Sequence, residues 1–191
     1  MRVRTVLCAV AAVSGFAFAG GARAHLLYES GGLGAGFAHP FLGWDHLLAM
    51  IAAGLWAAQL GGRALWALPL TFVSVMVGGA LLGVGGVALP HVEAGIAASL
   101  LALGLFVAFA TRLHLAAGVA FMAAFALFHG HSHGTELPAM VSAWTYAAGF
   151  VAATALLHIT GIALGRGLQA KAVKIAGACV ALAGVSLFAG M

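Results

Sequence analysis

The sequence has very little charge. Only 6% of its 191 residues are Asp, Glu, Lys or Arg, whereas 64% are hydrophobic and the mean hydropathy is +1.13. A soluble domain carries about 25% charged residues, so this chain lacks the polar surface that water requires. The composition therefore excludes an ordinary soluble domain and predicts a membrane protein.

Cysteine is nearly absent, and nucleotide-binding sequences are missing. Cys8 lies close to the N-terminus, and Cys179 stands alone inside an apolar run. A mature chain without Cys8 could form neither an internal disulfide nor a thiolate metal cluster. There is also no phosphate-binding loop and no polar domain that could hydrolyse a nucleotide. We therefore expect no organic cofactor.

The first 24 residues have the features of a secretory signal peptide. Arg2 and Arg4 precede an apolar stretch, which ends in the small-x-small cleavage pattern Ala22-Arg23-Ala24. Cleavage would make His25 the N-terminus of an exported chain, and an uncleaved first transmembrane helix is the alternative. Removing residues 1–24 leaves five basic against four acidic residues. The pI of 9.7 is therefore no argument for a nucleic-acid partner.

The remaining residues, 25–191, contain six apolar segments. A membrane span needs about 20 such residues, and short separators divide the predicted spans, which are 37–60, 64–88, 92–111, 113–130, 139–164 and 171–190. We predict an all-α, polytopic membrane protein with six transmembrane helices after a cleaved signal peptide, forming one domain. The pairs Gly79/Gly83 and Gly161/Gly165 predict close helix packing. The oligomeric state, including a homo-oligomer, stays open.

The basic residues indicate the direction of insertion. With the mature N-terminus outside, every remaining Lys and Arg falls on the cytoplasmic side: Arg63, Arg112, Arg166, Lys171 and Lys174. Five basic residues inside and none outside is the distribution that the positive-inside rule favours. We therefore predict a multi-pass protein of the inner (cytoplasmic) membrane with its mature N-terminus outside.

Nine histidines are unusual in so apolar a chain, because ionisable groups inside a bilayer are costly and usually functional. The stretch "HPFLGWDH" opens the first predicted span and contains His39, Asp45 and His46. On a regular helix the two histidines would lie roughly 10 Å apart along the axis. Both could bind one ion only if the helix is broken, which Pro40 and Gly43 favour. Otherwise they form two successive stations, or a helix cap followed by an Asp–His hydrogen bond between helices.

The stretch "FHGHSHGTE" closes the fourth predicted span and holds His129, His131, His133 and Glu136. His129 and His133 are four residues apart and would face the same way on a helix. In an irregular turn His131 would point inward too, and a solvated loop that collects metal loosely is the alternative. Because both stretches reach the same membrane face, we interpret them as two walls of one cation site. Imidazole with carboxylate and no thiolate suits Ni(II), Co(II), Zn(II) or Cu(II).

These two motifs resemble those of the HupE/UreJ family. The H-x5-D-H pattern of His39, Asp45 and His46, followed by "FHGHSHGTE", extends the resemblance over essentially the whole mature chain. The resemblance implies a small secondary permease for nickel, or cobalt, that serves hydrogenase or urease maturation. It also implies metal-contacting positions at His39, Asp45, His46, His129, His131, His133 and Glu136. A different nickel–cobalt transporter family has H-x4-D-H, which this chain does not match.

Three further histidines are candidate metal ligands. His25 could chelate an ion together with its α-amine if cleavage makes it the N-terminus. His158, in the inner half of the fifth span, is interpreted either as an exit station or as a hydrogen-bond donor to Thr154 or Thr160. His91 could capture ions at the outer mouth, although a polar loop explains it equally well.

Two other functions fit parts of this inventory. In a membrane zinc hydrolase, three histidines would hold the metal and a carboxylate would activate water. In a haem-binding electron carrier, paired histidines would ligate the iron. Few polar residues are available to contact a substrate, so we predict a metal transporter and no enzyme.

Overall fold

The computed structural model describes residues 31–138 and 141–191, whose regular elements are α-helices. The helices are α1 (Gly31–Leu42), α2 (Trp44–Leu60), α3 (Ala64–Val84), α4 (Val92–Phe109), α5 (Leu115–Thr135), α6 (Ala143–Gly167) and α7 (Ala170–Ala189). By length and composition α3 to α7 can each cross a membrane. The pair of α1 and α2 passes the same test together but is sharply bent, as in a broken span or a re-entrant loop. The predicted all-α fold is confirmed for the described residues, which contain five to six apolar spans where six are predicted. The signal peptide and His25 lie outside the described residues.

The first span is broken at Gly43. The axes of α1 and α2 differ by 81°, and Gly43 has an extended backbone (φ −90°, ψ 107°) that interrupts the helix. Pro40 lies inside α1 and does not interrupt it. The predicted break is therefore confirmed at Gly43, and residues 31–36, which precede the predicted span, already belong to α1. The break places His39 in the last turn of α1 and His46 in the first turn of α2.

The fourth span stays helical through its histidines. It was predicted to end near residue 130, but α5 continues to Thr135. The alternative of an irregular turn or loop at Gly130 and Gly134 is therefore wrong. A continuous helix places His129 and His133 on one face. His131 follows His129 by two residues, or roughly 200° of rotation about the helix axis, and therefore points to nearly the opposite face.

The glycines of that segment allow α5 to approach α3 closely. A Cβ added at Gly130 would collide with the carbonyl oxygen of Met76, and one at Gly134 would collide with that of Ala80. From α3, a Cβ at Gly79 would lie 2.5 Å from the carbonyl oxygen of Leu127 in α5. The backbones of α3 and α5 thus touch, and the close packing predicted at Gly79/Gly83 is confirmed.

The other predicted glycine pair joins α6 to α2. A Cβ at Gly161 would lie 2.9 Å from the Cα of Gly54, and one at Gly165 would lie 2.6 Å from the Cβ of Ala58. α4 packs in the same way on α7, where a Cβ at Gly177 would lie 2.5 Å from the amide nitrogen of Ala108. Small residues therefore set the helix spacing throughout this bundle.

Replacing Gly79 with valine is expected to destabilise the bundle, because the side chain would have to displace backbone atoms of α5. Overpacking of this kind costs about 1–3 kcal/mol. The matched control is Gly78→Val, since a Cβ at Gly78 meets nothing within 4 Å. Thermal unfolding of both purified variants in one detergent measures the difference. Equal melting temperatures for the two variants would contradict the packing argument.

The two ends of the bundle differ in chemistry. Successive spans are joined by short connections and so alternate in direction. The α1–α2 corner and the α3–α4 and α5–α6 connections lie at one end, which we call the histidine end. The opposite end carries the exposed residues Arg63, Arg112 and Arg166, and we call it the arginine end.

Candidate metal centre

Four histidines from the two motifs meet at the histidine end. The ring centroids of His39 and His133 are 4.8 Å apart, those of His46 and His133 4.6 Å, and those of His46 and His129 4.9 Å. The corner at Gly43 brings the centroids of His39 and His46 to 6.1 Å. His39, His46, His129 and His133 are called the histidine cluster below.

Three of the ring separations in the cluster, His39–His133, His46–His133 and His46–His129, suit imidazoles that share one ion, whereas His39 and His46 lie farther apart. A metal bonded to a ring nitrogen at about 2.0–2.1 Å lies roughly 3.2 Å from the ring centre, so two ligating rings have centres about 4.5–5.2 Å apart. Within residues 31–138 and 141–191, however, no three His, Cys, Asp or Glu side chains stand in coordination geometry. Binding would therefore require the rings to rotate about their side-chain torsions while their centres stay near their present positions.

Three of the four cluster histidines are buried, and several of their ring nitrogens are unsatisfied. His129 is 0% exposed, His133 1% and His46 5%. Nε2 of His46, Nδ1 of His129 and both ring nitrogens of His133 are buried without a hydrogen-bond partner among the described residues. An unpaired buried polar atom costs about 1–3 kcal/mol. These atoms therefore mark a place where a cation or ordered water would be stabilised.

Asp45 orients His46. Its Oδ1 lies 3.0 Å from Nδ1 of His46 and also accepts the backbone N–H of His46 at 2.9 Å. A carboxylate can only accept, so the ring proton is on Nδ1 and Nε2 keeps its lone pair. Metal-binding histidines are commonly held in this way by a carboxylate. The bond joins neighbours on one helix, so the predicted alternative of an Asp–His bond between helices is not formed.

Glu136, which follows α5, pairs with His39 at the end of α1. Its Oε2 lies 3.0 Å from Nε2 of His39, and its Oε1 accepts the hydroxyl proton of Ser132 at 2.7 Å. The hydrogen bond from His39 is the main cause that keeps the pKa of the Glu136 carboxyl below its usual value. Partial burial acts in the opposite direction but is the smaller effect. The ionised carboxylate therefore holds His39 and ties α1 to α5.

Ser99 supports the deepest histidine of the cluster, and the sequence analysis did not single it out. It is fully buried on α4, and its Oγ lies 2.8 Å from Nε2 of His129. Apart from Glu93 in the first turn, Ser99 is the one polar side chain of α4. An isolated polar residue in an apolar span is a signal that could have identified Ser99.

His131 lies outside the histidine cluster. Its Nε2 is 2.8 Å from the carbonyl oxygen of Val87, in the connection between α3 and α4. The ring therefore contacts that connection, on a different face of α5 from His129 and His133. Of the seven motif positions, the structure brings together the other six.

His158 lies deeper in the bundle, and Phe72 separates it from the cluster. The Phe72 ring packs 5.7 Å from the His129 centroid and 5.1 Å from that of His158. His158 is 1% exposed, and both of its ring nitrogens lack a partner within the described residues. It is thus a buried imidazole whose hydrogen-bonding capacity is unused.

The predicted hydrogen bond from His158 to a neighbouring threonine is not formed. The hydroxyl of Thr154 contacts the sulfur of Met76 at 3.9 Å, and that of Thr160 donates to the carbonyl of Leu156 at 2.8 Å. His91 is exposed at the start of α4.

Comparison with known proteins agrees with the two motifs. The family described as HupE / UreJ protein matches residues 9–187, a range that contains both histidine stretches. Protein HupE of Rhizobium leguminosarum bv. viciae is 48% identical over 173 residues, which cover 88% of this chain and 91% of the relative. No solved structure matches. The chain belongs to the HupE/UreJ family.

Proposed function

We propose that this protein is a secondary permease that carries a divalent transition-metal ion into the cytoplasm for hydrogenase or urease maturation. Ni(II) is the ion that we propose it carries. The observation that carries the proposal is the buried histidine cluster, built from two distant motifs and rich in unpartnered ring nitrogens. Membership in a family associated with nickel and cobalt uptake supports it. Co(II) and Zn(II) are the competing ions.

The cluster's chemistry suits a transition metal better than Mg(II) or Ca(II). Neutral imidazole is a good ligand for Ni(II), Co(II) and Zn(II), whereas Mg(II) and Ca(II) prefer oxygen. We assign the ligand role to His39, His46, His129 and His133. Asp45 and Glu136 hold two of these rings, and their charge offsets that of the ion. His131 is left out because its ring faces Val87.

The proposed direction of transport follows from the basic residues. Arg63, Arg112, Arg166, Lys171 and Lys174 are all exposed and belong to the arginine end. In the described part of the chain, no Lys or Arg lies at the histidine end. The positive-inside rule then places the arginine end in the cytoplasm and the histidine cluster at the outer face. Ions would be captured outside the inner membrane, after a signal peptide has directed export of the N-terminus.

The membrane potential can drive this movement. A divalent cation that crosses inward gains about 4.6 kcal/mol per 100 mV, twice the value for one charge. No coupled ion is needed for net uptake. Binding must stay weak enough for release, which agrees with rings that are near one another but do not form a rigid coordination shell.

The arrangement of the carboxylates favours transport over hydrolysis. In a zinc hydrolase a carboxylate has to activate a metal-bound water. Asp45 is engaged by His46, and Glu136 by both His39 and Ser132. Both carboxylates of the site therefore hold neighbouring side chains.

The test is nickel uptake into liposomes that contain the purified protein. We expect uptake of radioactive nickel that requires the protein, needs no nucleotide and accelerates when a potassium gradient with valinomycin makes the interior negative. Liposomes without protein are the control, and excess Co(II), Zn(II) or Mg(II) ranks the ions. Protein-containing liposomes that load nickel, cobalt and zinc no faster than empty ones would refute the proposal.

Uptake is also expected to fall when the external pH is lowered, because protons compete with the metal ion for the imidazole rings. A proton on an imidazole occupies the lone pair that the metal needs, so metal affinity decreases on acidification. Initial rates measured from pH 8 to pH 5 at constant free nickel and constant membrane potential check this. Undiminished uptake at pH 5 would count against capture by histidines.

A further inference from the structure

The contacts of Ser99 assign the tautomer of His129. The Ser99 hydroxyl lies 2.6 Å from the carbonyl oxygen of Ile96, to which it donates its only proton. Towards His129, 2.8 Å away, the same oxygen can then only accept. The ring proton of His129 is therefore on Nε2, and the lone pair is on Nδ1, which is buried and without a partner in the described residues.

The hydrogen-bond acceptor of the His129 ring differs from the acceptors of the His39 and His46 rings. Those two rings donate to the carboxylates of Glu136 and Asp45, whereas His129 donates to a neutral hydroxyl. An imidazole whose N–H is held by a carboxylate is more basic and a stronger metal ligand. Among these three rings, His129 is therefore expected to bind a cation least tightly.

This weaker ligand is also the deepest member of the cluster. On α5, His129 lies one turn, about 6 Å, further from the histidine end than His133. Phe72 and His158 follow deeper still, and His158 has no acceptor at either ring nitrogen within the described residues. His39 and His46 thus have carboxylate acceptors, the deeper His129 has a hydroxyl and the still deeper His158 has none, while His133, one turn above His129, also has none among the described residues.

We propose that Ser99 is a positioning residue that holds His129 in its Nε2–H tautomer and, because its hydroxyl is neutral, keeps His129 a weaker ligand than His46. An ion held by carboxylate-supported histidines can then move inward without becoming trapped, which agrees with the need for weak binding along a transport path. This inference rests on the proposed transport function.

The test compares three replacements of Ser99 with one matched control. Ser99→Ala removes the acceptor, Ser99→Thr retains a hydroxyl, and Ser99→Asp supplies a carboxylate. The control is Ser186→Ala, because the exposed Ser186 makes the same type of bond, to the carbonyl of Ala183 at 2.7 Å, and contacts no histidine. Nickel affinity of the purified protein and nickel uptake into liposomes are measured for each variant.

We expect Ser99→Ala to weaken nickel binding by about tenfold or more, the usual effect of losing an outer-shell partner. Ser99→Thr and Ser186→Ala should stay close to the wild type. Ser99→Asp should bind nickel more tightly and transport it more slowly. Unchanged affinity in Ser99→Ala, or faster uptake in Ser99→Asp, would overturn the inference.

A measurement without metal separates this inference from the proposed function. Nitrogen NMR of metal-free, ¹⁵N-histidine-labelled protein is expected to show His129 as the Nε2–H tautomer in the wild type and a mixture in Ser99→Ala. This result decides the role of Ser99 if the Asp variant does not fold. An Nδ1–H tautomer in the wild type would overturn the inference, whereas wild-type liposomes that take up no metal would overturn the proposed function alone.

Discussion

Replacing His133 with glutamine is expected to reduce nickel affinity more than about 100-fold, because loss of an outer-shell partner alone costs about 10–100-fold. His133 is central to the cluster, with ring centroids 4.8 Å from His39 and 4.6 Å from His46. Both of its nitrogens are buried and lack a partner in the described residues. Its ring stacks on Phe150 at 5.0 Å, which holds its position and leaves either nitrogen, depending on the tautomer, available to bind.

The matched control for this variant is His131→Gln. His131 lies two residues away on the same helix, but its ring contacts the carbonyl of Val87. We expect its nickel affinity and uptake to stay near the wild-type values. Equilibrium binding in detergent and uptake into liposomes measure both variants. Equal losses in the two would refute the four-histidine ligand set and return His131 to it.

Asp45→Asn is expected to lower nickel affinity by about 10–100-fold and to slow uptake at low nickel concentration. Asparagine can still accept the Nδ1 proton of His46, so the ring keeps its orientation. The negative charge is lost, however, which makes the imidazole less basic and leaves more of the ion's charge uncompensated at a buried site.

The variant Asp45→Glu separates charge from geometry. It keeps the carboxylate but moves it by one methylene from its position 3.0 Å from Nδ1 of His46. We expect a loss between those of the wild type and Asp45→Asn. Radioactive nickel uptake into cells that express equal amounts of the three proteins gives the ranking. Equal uptake by wild type and Asp45→Asn would refute the role assigned to this carboxylate.

The positions of the spans could be predicted from the sequence because hydropathy is a local property. Five of the six predicted spans correspond to single long helices, and the sixth is α1 with α2. The meeting of the two motifs at one end was predictable for a related reason. Short connections force successive spans to alternate, so the start of the first span and the end of the fourth reach the same side.

Which side chains face the cluster could not be predicted, since that depends on helix rotation and packing. The roles of His129 and His131 were open until the segment proved to be helical. The helix continues through Gly130 and Gly134 because α3 packs against their bare Cα atoms. The role of Ser99 depends on how α4 is rotated against α5, which the sequence of α4 alone does not determine.

The sequence by itself determined that this chain enters a membrane, where its apolar spans lie and which end collects its histidines. These results follow from apolar length, short connections and the placement of charge, each of which is local along the chain. Only the tertiary structure decided which acceptor holds each ring: Glu136 for His39, Asp45 for His46, Ser99 for His129. Two of these three contacts join different helices, so the packing of small residues that sets helix distance and rotation also sets the chemistry of the site.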